Sequence, residues 1–222
     1  GSGIVGIGHH YYWTAQPAIN MALGSMVSAL EVVPLTLLTM EAWKFVELAK
    51  VEGSIKNFSH YWAMMFLIAV GFWNFLGAGV FGFLVNTPIV SYYEHATYLT
   101  SNHGHAALMG VYGMLAVAAI LFCTRYLMTV DAWSNRLAAL SFWGLNIGLM
   151  LMIVLNIFPA GVIQMIASYK EGFWFARSPE FMHSHLFQMF TWARITGDIT
   201  FVVNEGLQLA VLVVRRMFHL RP

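Results

Sequence analysis

The chain has 222 residues, 59% of them hydrophobic and only 9% charged, with a formal net charge of +1 and a mean hydropathy of +0.68. A soluble domain carries about 25% charged residues, so this balance excludes a disordered segment, an ordinary soluble enzyme and a nucleic-acid binder. The single cysteine, Cys123, excludes an intramolecular disulfide and a cysteine zinc site. What remains is an all-α, polytopic membrane protein, read as one domain over residues 1–222 without internal repeats.

A helix that crosses the hydrocarbon core needs about 20 apolar residues, and five segments qualify. Ahead of the first lies Gly6-Ile7-Gly8-His9-His10-Tyr11-Tyr12-Trp13. Neighbouring histidines on a regular helix point about 100° apart. Gly6 and Gly8 loosen the backbone and Pro17 suits a helix start. A non-helical turn can then aim both imidazoles at one iron, copper or zinc ion. The alternative is two interfacial polar side chains beside an aromatic belt.

The first span runs from Pro17 to Met40, and Glu31 is its only charge. A lone carboxylate in an apolar span is costly. Glu31 reads as a proton donor or a carboxylate beside a metal, or else as a protonated structural group. Pro34 frees a carbonyl near residue 30. A charged connection, Glu41 to Ser59, leads to the uncharged second span, Tyr61 to Val85. The loop Asn86 to Asn102 then carries Glu94 and His95, placed to meet haem propionates, a cation or water.

The third span, His103 to Thr124, opens on Asn102-His103-Gly104-His105-Ala106-Ala107-Leu108-Met109-Gly110. Residues two apart on a helix lie about 200° apart, so His103 and His105 project from opposite faces. One small metal does not take both, but two cofactors flanking the helix take one each. The small neighbours leave clearance for flat macrocycles, and a haem iron accepts an axial imidazole. Two haems against one helix is one reading; two histidines hydrogen-bonded to other helices is the other.

After the short connection Arg125 to Arg136, the fourth span runs from Leu137 to Ala167 without charge. Ser168 to Glu180 closes on Ser178-Pro179. The fifth span, Phe181 to Val214, carries Arg194, Asp198 and Glu205, and is too polar to lie wholly in lipid. Arg194 and Asp198 are spaced for an ion pair on one helix face, expected mid-membrane or toward the cytoplasmic half. The loops after spans one, three and five hold eight Lys and Arg residues, those after spans two and four only Lys170 and Arg177. This bias puts Arg215 in the cytoplasm and the His9–His10 end on the periplasmic or extracellular side.

Three motifs, in this order, closely resemble the catalytic subunit of bacterial nitric oxide reductases, in the haem–copper oxidase superfamily. They are Gly-Ile-Gly-His-His-Tyr-Tyr-Trp at 6–13, Ser-Ala-Leu-Glu-Val-Val-Pro-Leu at 28–35 and Asn-His-Gly-His-Ala-Ala-Leu-Met-Gly-Val-Tyr-Gly at 102–113. Gly172 to Ser178 and Arg194-Ile195-Thr196-Gly197-Asp198 look closer to the quinol-dependent branch. The resemblance implies two b-type haems and a non-haem iron. His9 and His10 would be two iron ligands, with Glu31 on or near the iron as the catalytic carboxylate. His103 would be the proximal ligand of the high-spin haem, His105 an axial ligand of the low-spin haem, and Asp198 a quinol-site carboxylate. The implied partners are nitric oxide, quinol (or cytochrome c through a partner subunit) and membrane lipid. The third iron histidine, its companion glutamate and the second low-spin haem ligand would lie before Gly1, making the chain the C-terminal part of a longer subunit. An oxygen-reducing oxidase with copper, a non-catalytic membrane cytochrome b and a transporter with a histidine site are the alternatives.

Overall fold

A computed structural model describes residues 2–11, 14–51, 60–127 and 133–219, of which 205–219 by their backbone course alone. Among the described residues there are helices and short connections but no strand. Four runs are long and apolar enough to cross a membrane: Ala18–Leu48, Tyr61–Asn86, Tyr98–Leu127 and Asn135–Lys170. They correspond to the first four expected spans and make the chain a multi-pass membrane protein. The segment expected as a fifth span is split. A short helix, Pro179–Met182, stands apart from one continuous helix, His185–His219. At about 1.5 Å per residue this last helix is longer than a bilayer core is thick. Lys56 and Arg221, and the side chains of Glu205, Arg215 and Arg216, lie outside the described residues.

Local chemistry explains the irregularities. The first span breaks at Leu30 and Glu31. Pro34 has no N–H for the Leu30 carbonyl, which accepts from Val33 N at 3.1 Å instead. The helix Val32–Val51 then runs past Met40, beyond the expected end of the span. No Gly or Pro interrupts it after Pro34, and pairs one turn apart support it: Lys44 to Glu41 at 2.9 Å, Trp43 Nε1 to Glu47 at 2.8 Å. Widened π turns occupy Asn74–Phe81, His105–Gly113 and Ile153–Ile157. Pro159 accounts for the last, since it leaves the Leu155 carbonyl without its helical partner.

The core lies between the second, third and fourth spans, around Phe66, Trp73, Met114, Leu149 and Ile157. In lipid there is little hydrophobic drive between helices, so close packing and buried hydrogen bonds carry the association. A Cβ on Gly77 would stand 2.5 Å from the Ala106 carbonyl carbon, so spans two and three touch backbone to backbone. Trp73 Nε1 donates to Asn146 Oδ1 at 2.8 Å, and Asn156 Nδ2 donates to the Phe190 carbonyl at 2.8 Å. The last helix lies along the fourth span, with Gly197 against Met152 and Gly148 against Phe201.

One end of the bundle gathers the turn Ile7–His10, the short helix Pro88–Glu94 and the loop after Lys170. Gln164 Oε1 accepts from Tyr98 N at 3.0 Å and its Nε2 donates to the Ala176 carbonyl at 2.9 Å, which ties the start of the third span to that loop. The connection into the third span needs a left-handed residue, Ala96, with φ 58°. An L-residue pays about 1–2 kcal/mol there. Ala96→Gly is therefore expected to stabilise the protein by about 0.5–1 kcal/mol, once the unfolded-state entropy of glycine is set against the gain. The thermal midpoint in detergent measures this, and a lower midpoint would refute it.

Candidate haem and metal site

The site is built at that end. His9 and His10 lie on a single 3₁₀ turn, Ile7–His10, rather than an irregular one. Their rings stand together, centroids 3.9 Å apart and tilted by 41°. The turn rests directly on the first span: a Cβ on Gly24 would come 2.5 Å from Gly8 Cα and 2.7 Å from His9 N. Only two glycines allow this approach. Glu31 sits half-buried at the helix break opened by Pro34. His10, His103 and Glu31 stand near enough for their charge to act on His9, and His10 and Glu31 likewise on His103. Burial holds His9 below its ordinary value, against the pull of the Gly6 carbonyl, which favours the neutral ligand form.

His103 and His105 go to different neighbours. His103 Nδ1 lies 2.8 Å from the Gly77 carbonyl on the second span. His105 Nδ1 lies 2.8 Å from the Ser101 carbonyl of its own helix, and its Nε2 stands 3.3 Å from Arg194 Nη2 on the last helix. A carbonyl only accepts, so Nδ1 carries the proton in both rings and Nε2 keeps its lone pair. His9 Nδ1 makes the same kind of bond to the Gly6 carbonyl. A backbone carbonyl on one ring nitrogen is the usual second-shell partner of a metal-ligating histidine. Space beside the rings is consistent: a Cβ on Gly82 would press on His103 at 3.1 Å, and a Cβ on Gly104 would meet nothing within 4 Å. His103 and His105 thus fit axial haem ligation. No three His, Cys, Asp or Glu among the described residues form a group able to hold a metal. His9, His10 and Glu31 therefore do not by themselves form a closed metal site among the described residues.

Arg194 Nε reaches Asp198 at 3.0 and 3.1 Å, so the expected ion pair forms. His105 is only seven residues into the third helical run, about 10 Å from its start, so contact with it places Arg194 toward the histidine end of the bundle. Nothing in the spacing points from Arg194 to His105, 89 residues apart. Nor does any spacing signal Arg177. It donates to the carbonyls of His95 and Phe173 and to Ser168 Oγ, and stacks on the Phe173 ring. His95 in turn lies 6.1 Å from His10, ring to ring.

Glu94 is 2% exposed, accepts from Thr100 Oγ1 at 2.9 Å and feels the Arg177 charge. Burial outweighs both and pushes its carboxyl up to about 8. The folded protein therefore binds this proton more tightly than the unfolded chain does. Its stabilising effect is complete below the ordinary value of 4.5 and is lost as pH rises through about 8. Glu94→Gln is expected to flatten the fall in thermal midpoint across that window. An unchanged slope in the variant would show that the group titrates normally.

Residues 1–200 match the family described as Cytochrome C and Quinol oxidase polypeptide I. The chain is also similar to a nitric oxide reductase subunit of Stutzerimonas stutzeri, 32% identical over 214 residues. That alignment takes in 91% of this chain and 42% of the relative, so the chain spans less than half of that protein's length. With four helical runs long and apolar enough to cross a membrane, the chain belongs to the Cytochrome C and Quinol oxidase polypeptide I family, that of the haem–copper oxidases.

Proposed function

We propose that the chain is part of a nitric oxide reductase catalytic subunit of the inner membrane, with its His9–His10 end periplasmic. The reaction is 2 NO + 2 electrons + 2 protons to N2O and water, with quinol as the donor. The observation that carries this reading is the pair of rings at 103 and 105. Each has Nδ1 held by a backbone carbonyl and Nε2 unprotonated, with His103 turned to the second span and His105 to the last helix. The likeness to a known nitric oxide reductase supports the choice of substrate.

In this reading His103 and His105 hold the two b-type haems, and His9 and His10 give two imidazoles to the non-haem iron. These groups supply electron transfer and a place for two small nitrogen oxides to couple. The protein does the rest. The Gly77 and Ser101 carbonyls orient the two rings and raise their basicity. Glu31, half-buried at the helix break, would hold a proton or a negative charge close to the iron. A carboxylate there suits iron better than copper. Asp198 stays the candidate quinol-site carboxylate, now paired with Arg194.

Metal and haem analysis of the complete protein tests this. Two b-type haems, one further iron, no copper, and N2O formed from NO are expected. Copper in place of that iron supports the oxygen-reducing oxidase, the second reading, which the oxidase description of the family favours. Haem with no third metal leaves an electron-transfer cytochrome.

A further inference from the structure

The contact between Arg194 and His105 has no place in that scheme. His105 Nδ1 donates to the Ser101 carbonyl, so Nε2 is an acceptor, and Arg194 Nη2 at 3.3 Å donates to it. The same lone pair is the one a haem iron would take, and it serves one partner at a time. Meanwhile Arg194 Nε is held by both oxygens of Asp198, one turn further along the last helix. Gly197 packs that turn against Met152 so closely that a Cβ there would come within 2.5 Å of backbone. The guanidinium is therefore tethered at its Nε and free to give up its Nη2 bond. Both side chains are a little over one-third exposed, with room to turn.

We propose that Arg194, anchored by Asp198, is a positioning residue for His105. With His105 on the haem it would stand beside the ligand as a fixed positive charge. This rests on the reading of His105 as a haem ligand. An added electron makes the haem site one unit less positive, so a nearby cation favours the reduced state and a nearby anion the oxidised one. Arg194 and Asp198 act in opposite senses. Removing the cation leaves the anion uncompensated, and removing the anion does the reverse. Asp198 thereby sets the low-spin haem's electron affinity from the last helix, across an interface that the sequence does not announce.

The test uses the complete membrane protein carrying Arg194→Gln, Arg194→Lys or Asp198→Asn. Readouts are haem content and the midpoint potentials of both haems by spectroelectrochemical titration. Arg194→Gln is expected to keep both haems, because the arginine stands beside the ligand and is not one. It should lower the low-spin potential by a tenfold change in the reduction equilibrium, about 59 mV for one electron. Asp198→Asn should raise it, Arg194→Lys should hold it near the native value, and the high-spin haem should not move. Shifts of the same sign in the Gln and Asn variants, or equal shifts in both haems, would overturn the proposal. So would loss of the low-spin haem in Arg194→Gln. A native protein without any low-spin haem would instead overturn the reading of His105 itself.

Discussion

His103→Ala is expected to remove the high-spin haem and to lower NO reduction by at least about 100-fold, while the low-spin haem keeps its spectrum. Changing an outer-shell partner of a metal ligand already costs about 10–100-fold, and here the ligand itself is lost. The two effects separate because the rings leave the helix toward different neighbours, His103 toward the Gly77 carbonyl and His105 toward the last helix. Optical spectra of the reduced protein read both haems at once. His103→Gly with added imidazole provides the control, since recovery of the high-spin signal shows that the fold survived. Loss of the low-spin haem in His103→Ala, or an intact high-spin haem, would refute the assignment.

Gly24→Ala is expected to strip the iron and leave both haems in place. The added methyl would stand 2.5 Å from Gly8 Cα and 2.7 Å from His9 N, both backbone atoms that no rotamer change relieves. Overpacking of this kind costs about 1–3 kcal/mol, and the short Ile7–His10 turn is the part expected to yield. A shift of about 1 Å at a reacting centre costs about 100-fold in rate. Iron analysis against haem content measures the outcome. Gly6→Ala is the control, because its methyl would meet Ser28 Cβ at an ordinary 3.8 Å. Iron retained in Gly24→Ala, or haem lost with it, would separate the histidine pair from the metal.

Much of the fold is legible in the sequence. Apolar runs longer than a bilayer is thick leave few structures besides helices. The first four spans follow from this, with ends displaced only where polar residues continue a helix, as Glu41, Lys44 and Glu47 do. The break at Glu31 follows from Pro34, and the opposed directions of His103 and His105 from helix geometry. These are short-range properties, set by covalent structure and by spacing along one chain segment.

Contacts between segments are not legible. The Gly77 carbonyl that orients His103, the Gly8–Gly24 approach that seats His9 and His10, and the Arg177 clamp over His95 each join residues without a shared spacing. Arg194 is the clearest instance. Its pairing with Asp198 follows from helical spacing, whereas its reach to His105 does not. By itself the sequence determined the helices, their membrane setting and which residue types carry the chemistry. Only the tertiary structure decided which carbonyl, cation or glycine stands against each histidine, because that depends on how helices pack, and packing has no period along the chain.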